Sequence, residues 1–372
     1  MAEQSSGRVF LVGAGPGDPS LCTVRGVRCL TEADLVLYDA LAHPDLLAHA
    51  KQASLEFVGK RAGRKSARQE QINQRMKEAA NAGQTVVRLK GGDPYLFGRG
   101  SEEAEFLARE GIPFEVVPGV PSPIVATAYA GLSLTHRTLA SSVAYLTATE
   151  SPAKDRSSHD WAKLATGPET LVIFMGLRRL RSLMGLLIEH GRSADTPVAL
   201  VSRASLPSQR TVIGTVATIA DQAEEADLPT PALVIVGQVV TLRSSLRWFD
   251  RKPLFGQRVL VTRPRAQAAS FCERLRDAAA APVVAPTVRI VPPEDPEPLV
   301  RAVKELRRYR WVLFTSKNGV DRFFAEVERQ GLDARALGNA QVAAIGPGTA
   351  RAILRYGVRA DLIPDVFRGE AL

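Results

Sequence analysis

Two ionisable side chains and two glycine-rich strings hold most of the chemistry this chain could perform. Asp39 closes the strand-like string DLVLYD, and Lys60 stands in VGKRAG just after Phe57 and Val58. A carboxylate and an ammonium brought to one cleft could accept and donate protons. The competing readings are a cap or turn for Asp39 and a solvated loop cation for Lys60. VGAGPGDP, residues 12–19, directly follows an apolar run, and its glycines allow a tight turn whose N–H groups suit an anion or a polar cofactor. It is not a dinucleotide fingerprint, because G-x-G-x-x-G would need glycine at Asp18 while Pro16 and Pro19 remove donors. A plain strand-to-helix connection competes with the ligand reading. In KGGDPYLFGRG, residues 90–100, Gly91 and Gly92 permit close approach of a ligand to the backbone. Asp93 could accept from hydroxyl or amino groups, or it and Pro94 simply form a turn.

PGVPS (118–122), FMGL (174–177) and VSRAS (201–205) are further short loops after apolar runs. Ligands of open α/β sheets bind beyond the carboxyl ends of strands, so convergence of these loops on one cleft is the expected geometry. Other chemistries are disfavoured. The histidines at 43, 49, 136, 159 and 190 share no ligand spacing with carboxylates, and Cys22, Cys29 and Cys272 form no C-x-x-C pair, so neither a metal site nor a disulfide framework is expected. Thiol usage and the lack of a basic start followed by an apolar stretch point to a reducing, cytoplasmic setting. The net charge of +9 suits a polyanionic partner. No zinc-finger or RNP1-like string is present and no apolar run approaches the ~18 residues of a membrane span, so neither nucleic acid nor membrane is expected as partner.

The elements that must position these groups are legible as alternation. RVFLVGAG, DLVLYD, TVVRLKGG, FEVVPG, SVAYLTA, TLVIFMG, PVALVS and ALVIVGQVV are short β-rich runs separated by helical patterns, which predicts an α/β architecture with mainly parallel strands. Ile72, Met76 and Ala79 share one face of a helix that Gly83 ends, and a second helix from Ser101 carries Glu102 and Glu103 in its first turn and stops before Gly111. Both read as packing helices. DRKPLFGQ, residues 250–257, breaks the alternation and places a domain boundary near Pro253. PPEDPEP (292–298) has the composition of a rigid connector, and FRGEAL at the end reads as a helix cut short.

Taken in order and spacing over residues 7–250, VGAGPGDPSLCTVRG, ADLVLYDAL, VGKRAG, QEQIN, VVRLKGGDPYLFGRGSEEAEFL, GIPFEVVPGV, YAGLSLTHR and PALVIVGQVV resemble the uroporphyrinogen-III C-methyltransferases of the tetrapyrrole methylase family. The resemblance implies a two-lobed α/β fold with S-adenosyl-L-methionine in the cleft between lobes, no metal, and a homodimer. It implies two methyl transfers to ring carbons of uroporphyrinogen III, giving precorrin-2 for sirohaem or cobalamin synthesis. By motif, Pro16, Gly91, Gly92, Asp93, Leu96, Pro121, Ser122, Met175 and Ala204 take the cofactor positions, and Asp39 and Lys60 those of the proposed proton acceptor and donor. Arg61, Arg64, Arg99 and Arg137 are candidate contacts for the substrate's eight carboxylates.

The match has departures. Pro121 and Ser122 stand where Thr with Ala or Ser is frequent, Ala204 where Gly is frequent, Thr138 where Asp is usual, and LTATE in place of VTGH. Residues 256–372 resemble the beginning of uroporphyrinogen-III synthase through GQRVLVTRP, APTVRIVPP, WVLFTSKNGV and VAAIGPGTARAI. Only about half of that α/β module is implied, hence little or no synthase activity, although the longer parent would also cyclise hydroxymethylbilane. Three other readings compete: a methylase of another tetrapyrrole, a dinucleotide-dependent oxidoreductase, and a degenerate binding module.

Overall fold

The computed structural model describes residues 7–59, 69–149 and 158–372. The chain divides into two compact units, Met1–Thr287 and Val288–Leu372.

The first lobe of the larger unit contains β1 (Arg8–Gly13), α1 (Val24–Thr31), β2 (Leu35–Tyr38), β3 (Ser54–Phe57), α2 (Gln69–Asn81), β4 (Thr85–Lys90), α3 (Gly100–Arg109), β5 (Phe114–Val117) and α4 (Ser122–Ala130). Its strands form one wholly parallel sheet in the order β3-β2-β4-β1-β5. Val9, Leu11, Leu35, Leu37 and Val86 face α2 and α3, where Ile72, Met76, Ala79 and Leu107 cover them. Phe10, Val12, Val36, Val87 and Leu89 face the other way, against Cys29 and Leu30 of α1 and Leu46. A strand covered on both faces has no solvent side to favour polar residues, which is why the runs of β1 and β2 do not alternate. Strand order reverses at the β4–β1 pair, so the loops after these two strands leave the sheet where open α/β folds bind ligands.

The second lobe contains β6 (Val143–Thr147), α5 (Trp161–Thr166), β7 (Thr170–Phe174), α6 (Leu180–Glu189), β8 (Pro197–Ser202), β9 (Arg210–Thr215), α7 (Ile219–Glu225), β10 (Ala232–Val236) and α8 (Arg243–Leu246). Its sheet, β6-β7-β10-β8-β9, is mixed: β6 pairs parallel with β7, and the other three pairings are antiparallel. One face packs on Leu183, Leu187 and Ile219; the other receives Ala126 and Ala130 of α4. α4 thus begins at the first lobe's loops and packs on the second lobe's sheet.

The larger unit closes with β11 (Arg258–Val261), α9 (Arg265–Asp277) and β12 (Ala281–Val284), the two strands pairing parallel. The smaller unit contains α10 (Glu297–Lys304), β13 (Trp311–Phe314), α11 (Lys317–Arg329), β14 (Gln341–Ala344) and α12 (Pro347–Leu354), built around Phe314, Val320, Phe324, Val342 and Ile353. Parallel pairings predominate along the chain, as the alternation predicts. β3 and β9 have no counterpart in that reading. Both are edge strands, half-exposed and carrying polar residues, so neither leaves a continuous apolar run.

Candidate active site

The loops after the first lobe's strands meet backbone to backbone. Ala14 N–H donates to Lys90 O at 2.8 Å, and Gly15 and Gly92 exchange N–H···O bonds of 3.2 and 3.0 Å, which ties the GAGPGD loop to the GGDP loop. The loop after β5 closes on both. A Cβ on Gly119 would lie 2.2 Å from Gly92 O and 2.7 Å from Gly13 Cα. The loop after β2 joins from the other side, since a Cβ on Gly91 would lie 2.4 Å from Leu41 Cβ. Gly59, after β3, backs onto Asp39 and Ala40 in the same way. All five parallel strands therefore deliver their carboxyl-end loops to one place.

Asp93 holds two of these loops together. Its Oδ1 accepts from Tyr95 N–H at 2.8 Å and its Oδ2 from Gly119 N–H at 3.1 Å, so the turn reading of this residue is realised, in a form that spans two loops. Leu96 follows, half-buried, and Arg99 is exposed in a forked ion pair with Glu102. Pro121 precedes α4 in extended conformation, and Ser122 opens that helix.

The second lobe reaches the same cleft through the loops after β7 and β8. Phe97, from the GGDP loop, lies with its ring centroid 4.7 Å from that of Phe174 at the end of β7. Ser205 Oγ accepts from Asp18 N–H at 2.9 Å and donates to Pro16 O at 3.0 Å, which clamps the GAGPGD loop against Ala204 and Ser205. Tyr129 of α4 donates to Asp18 Oδ2 at 3.4 Å, and burial, reinforced by Asp18, pushes the phenol up to about 12, so it stays a donor at neutral pH. Phe97, Arg99, Met175, Arg203 and Ser205 all have left-handed backbones, φ 49–65°. Such strain in non-glycine residues costs of order 1–3 kcal/mol each and marks sites whose shape is held for a purpose. Ser205→Ala should lower the melting temperature by several degrees, since it leaves an N–H and a carbonyl without a partner. An unchanged melting curve would mean that the clamp is idle.

Asp39 stands just past β2. Its Oδ1 accepts from Leu41 N–H at 2.9 Å, its Oδ2 lies 3.6 Å from Arg88 Nη2, and its side chain is 23% exposed. Behind it, Arg88, Lys90 and Glu103 are 5%, 4% and 0% exposed, on the sheet face otherwise filled by apolar residues of α2 and α3. Glu103 accepts from Arg88 Nε at 3.1 Å, from Lys90 Nζ at 2.8 Å and from Gln69 Nε2 at 3.0 Å. Burial, with Arg88 adding to it, pushes the Lys90 ammonium below its ordinary range against the opposing pull of Glu103. Lys60, Arg61 and Arg64 lie outside the described residues. Arg137 is exposed beside the His136–Ala140 bridge.

At the mouth of the second lobe, Phe97, Tyr145, Thr149, His159 and Lys163 line a hollow of about 510 Å³. His159 Nε2 is 2.8 Å from Thr147 O, and Leu146, Thr147 and Thr149 of the string LTATE border this space. Among the described residues no cluster of three or more His, Cys, Asp or Glu could hold a metal, and no helix is long and apolar enough to cross a membrane. Glu103 and Ser205 are the groups sequence reasoning missed. Glu103 did leave a signal: it lies four residues before Leu107, on the helix's buried stripe.

Comparison with known proteins bears on the same regions. The family of tetrapyrrole (corrin/porphyrin) methylases matches residues 8–220, and that of uroporphyrinogen-III synthase HemD matches residues 269–372. The porphyrin biosynthesis protein HemD of Ruminiclostridium josui is 40% identical over 369 residues, which cover 98% of this chain and 73% of that protein. Siroheme synthase 1 of Klebsiella pneumoniae is 48% identical over 249 residues, covering 67% of this chain and 52% of that one. The chain therefore spans about half the length of the siroheme synthases it matches. Among solved structures, the uroporphyrin-III C-methyltransferase of Thermus thermophilus complexed with S-adenosylhomocysteine aligns with a TM-score of 0.55 at 41% identity, over 63% of this chain and 100% of that one. Cobalt precorrin-4 methyltransferase aligns with a TM-score of 0.57 at 33% identity, over 64% of this chain and 98% of that one.

Proposed function

Because this chain belongs to the tetrapyrrole methylase family and carries a uroporphyrinogen-III synthase HemD region after it, we propose that residues 7–250 methylate uroporphyrinogen III from S-adenosylmethionine. Two transfers to ring carbons would give precorrin-2, for sirohaem or cobalamin synthesis, in a cytoplasmic homodimer. Residues 256–372 are the synthase-like module, whose family makes the macrocycle that the methylase consumes. The observation that carries the reading is the meeting of five strand-end loops at the edge of one parallel sheet, with Asp39 at their rim.

The residues fit S-adenosylmethionine. A Cβ on Gly92 would meet, among the described residues, only Ser122 N, at 3.8 Å. Leu96 and the half-exposed Met175 offer apolar surface, and the rest of the cofactor's seat is assigned, by motif, to Pro16, Gly91, Gly92, Asp93, Pro121, Ser122 and Ala204. When bound, the group supplies a methyl on a sulfonium, already activated, so the protein's main task is to hold an electron-rich pyrrolic carbon in line with it. Packed loops and strained turns do this by fixing the cleft before substrate arrives. The methylated ring is cationic and must shed a proton, for which the Asp39 carboxylate is the acceptor at the sheet's edge. Lys60 takes the donor role or pairs with substrate carboxylates. Arg99 and Arg137, both exposed, are cations for the anionic rim of the macrocycle.

Anaerobic incubation with labelled S-adenosylmethionine and uroporphyrinogen III, followed by product absorbance, should show two methyl groups incorporated per macrocycle. Binding of S-adenosylmethionine without incorporation would redirect the assignment to another tetrapyrrole.

A further inference from the structure

The ionic cluster behind Asp39 is hard to explain as a stabilising device. Arg88 and Lys90 alternate on β4 with Leu89, and the strand passes through the middle of the sheet. Buried ion pairs are often no more stabilising than apolar residues of the same size, because desolvation offsets their attraction. Here two cations and one carboxylate sit 0–5% exposed where Val86 and Leu37 show that an apolar lining is available.

The connectivity of the cluster indicates its use. Glu103 binds Arg88 through Oε1 and Lys90 through Oε2, fixing both side chains from α3. Arg88 then spends Nη1 on Leu37 O at 3.3 Å and Leu89 O at 3.1 Å, which anchors the guanidinium plane to β2 and β4. That leaves Nη2 directed at Asp39 Oδ2, 3.6 Å away, an ion-pair distance longer than a hydrogen bond. Among the described residues of the cluster the two cations exceed Glu103 by one charge, and Asp39 is the second carboxylate within ion-pair distance of Arg88. Asp39 is thereby held by charge on one side and by Leu41 N–H on the other, with no direct hydrogen bond to Oδ2 among the described residues and the side chain partly open to solvent.

We infer that Arg88, locked by Glu103, is a positioning residue for the methyl transfer: it orients the Asp39 carboxylate without taking up the oxygen that receives the proton. This rests on the reading of Asp39 as proton acceptor. The full chain is tested as a cycle of four proteins, wild type, Arg88→Lys, Asp39→Asn and the double variant. Each is measured for kcat and KM with uroporphyrinogen III and for calorimetric binding of S-adenosylhomocysteine. Lysine keeps the charge but cannot bridge Glu103, two carbonyls and Asp39 at once. Arg88→Lys should lower kcat about tenfold or more, with S-adenosylhomocysteine affinity and KM within about twofold of wild type. The double variant should be no slower than Asp39→Asn alone. Multiplying defects, or a loss of affinity as large as the loss of kcat, would overturn the inference. An Asp39→Asn protein as active as wild type would overturn both the acceptor role and the positioning. An inactive wild type would strike the function itself, and the inference with it.

Discussion

Asp39→Asn should reduce methyl transfer to uroporphyrinogen III by about a hundredfold to ten-thousandfold, the span typical of removing a positioned general base, while S-adenosylhomocysteine binds as before. Asparagine is the sharper choice than alanine. Its side-chain oxygen still accepts from Leu41 N–H, at the 2.9 Å contact that shapes the loop, so the turn survives and only the charge and proton affinity go. Asp39→Ala removes both and should show the same loss of turnover with a slightly lower melting temperature. Single-turnover measurement with labelled cofactor, run beside calorimetry, separates chemistry from binding. Retained turnover in the asparagine variant would move the acceptor role to another group, and a parallel loss of S-adenosylhomocysteine affinity would make Asp39 part of the cofactor's seat.

Two glycine substitutions should divide folding from binding. In Gly119→Ala the new methyl would lie 2.2 Å from Gly92 O, 2.7 Å from Gly13 Cα and 2.8 Å from Gly13 C. These are backbone atoms of two hydrogen-bonded loops and cannot swing aside as a side chain would. A cost of about 3 kcal/mol is expected, the upper end for overpacking, together with loss of cofactor binding. Gly92→Ala is different. Its φ of +71° costs a non-glycine residue about 1–2 kcal/mol, but among the described residues the methyl meets nothing closer than Ser122 N at 3.8 Å. Stability should fall modestly, and S-adenosylhomocysteine affinity by about a hundredfold, because the methyl occupies the space assigned to the cofactor. Melting curves and calorimetry on the two proteins check this. A Gly92→Ala variant that binds normally would place the cofactor elsewhere in the cleft.

Much of this arrangement is readable before any coordinates. The runs VFLV in β1 and LVL in β2 are apolar at successive positions, and a sheet covered on both faces asks for that, so the parallel core and the position of its ends follow from the pattern. Gly13, Gly15, Gly91, Gly92 and Gly119 mark where backbones approach, and their placement after strands locates the cleft. The helix of Ile72, Met76 and Ala79 is the observed α2, and its end lies two residues before Gly83.

Other features depend on partners far apart in the chain. β3 and β9 are edge strands whose pairing is set by β2 and β8, and their own residues carry little apolar pattern. Asp93 looks in sequence like a ligand for a hydroxyl or a turn residue, and which of its oxygens remain available is decided by Gly119, 26 residues away. Ser205 acquires its role from Asp18, 187 residues away. Glu103 reads as a dipole-favouring acid in the first turn of a helix, and becomes a fully buried counterion because α3 packs on the face of β4 that carries Arg88 and Lys90. The sequence by itself determined the parallel α/β core and the glycine-rich loops at its strand ends, because these depend on local backbone freedom and periodic burial. Which carboxylates are spent on structure, which stay open to the cleft, and how charge is held behind Asp39 were decided by the tertiary structure, because a hydrogen bond or an ion pair exists only once both of its groups have been brought together.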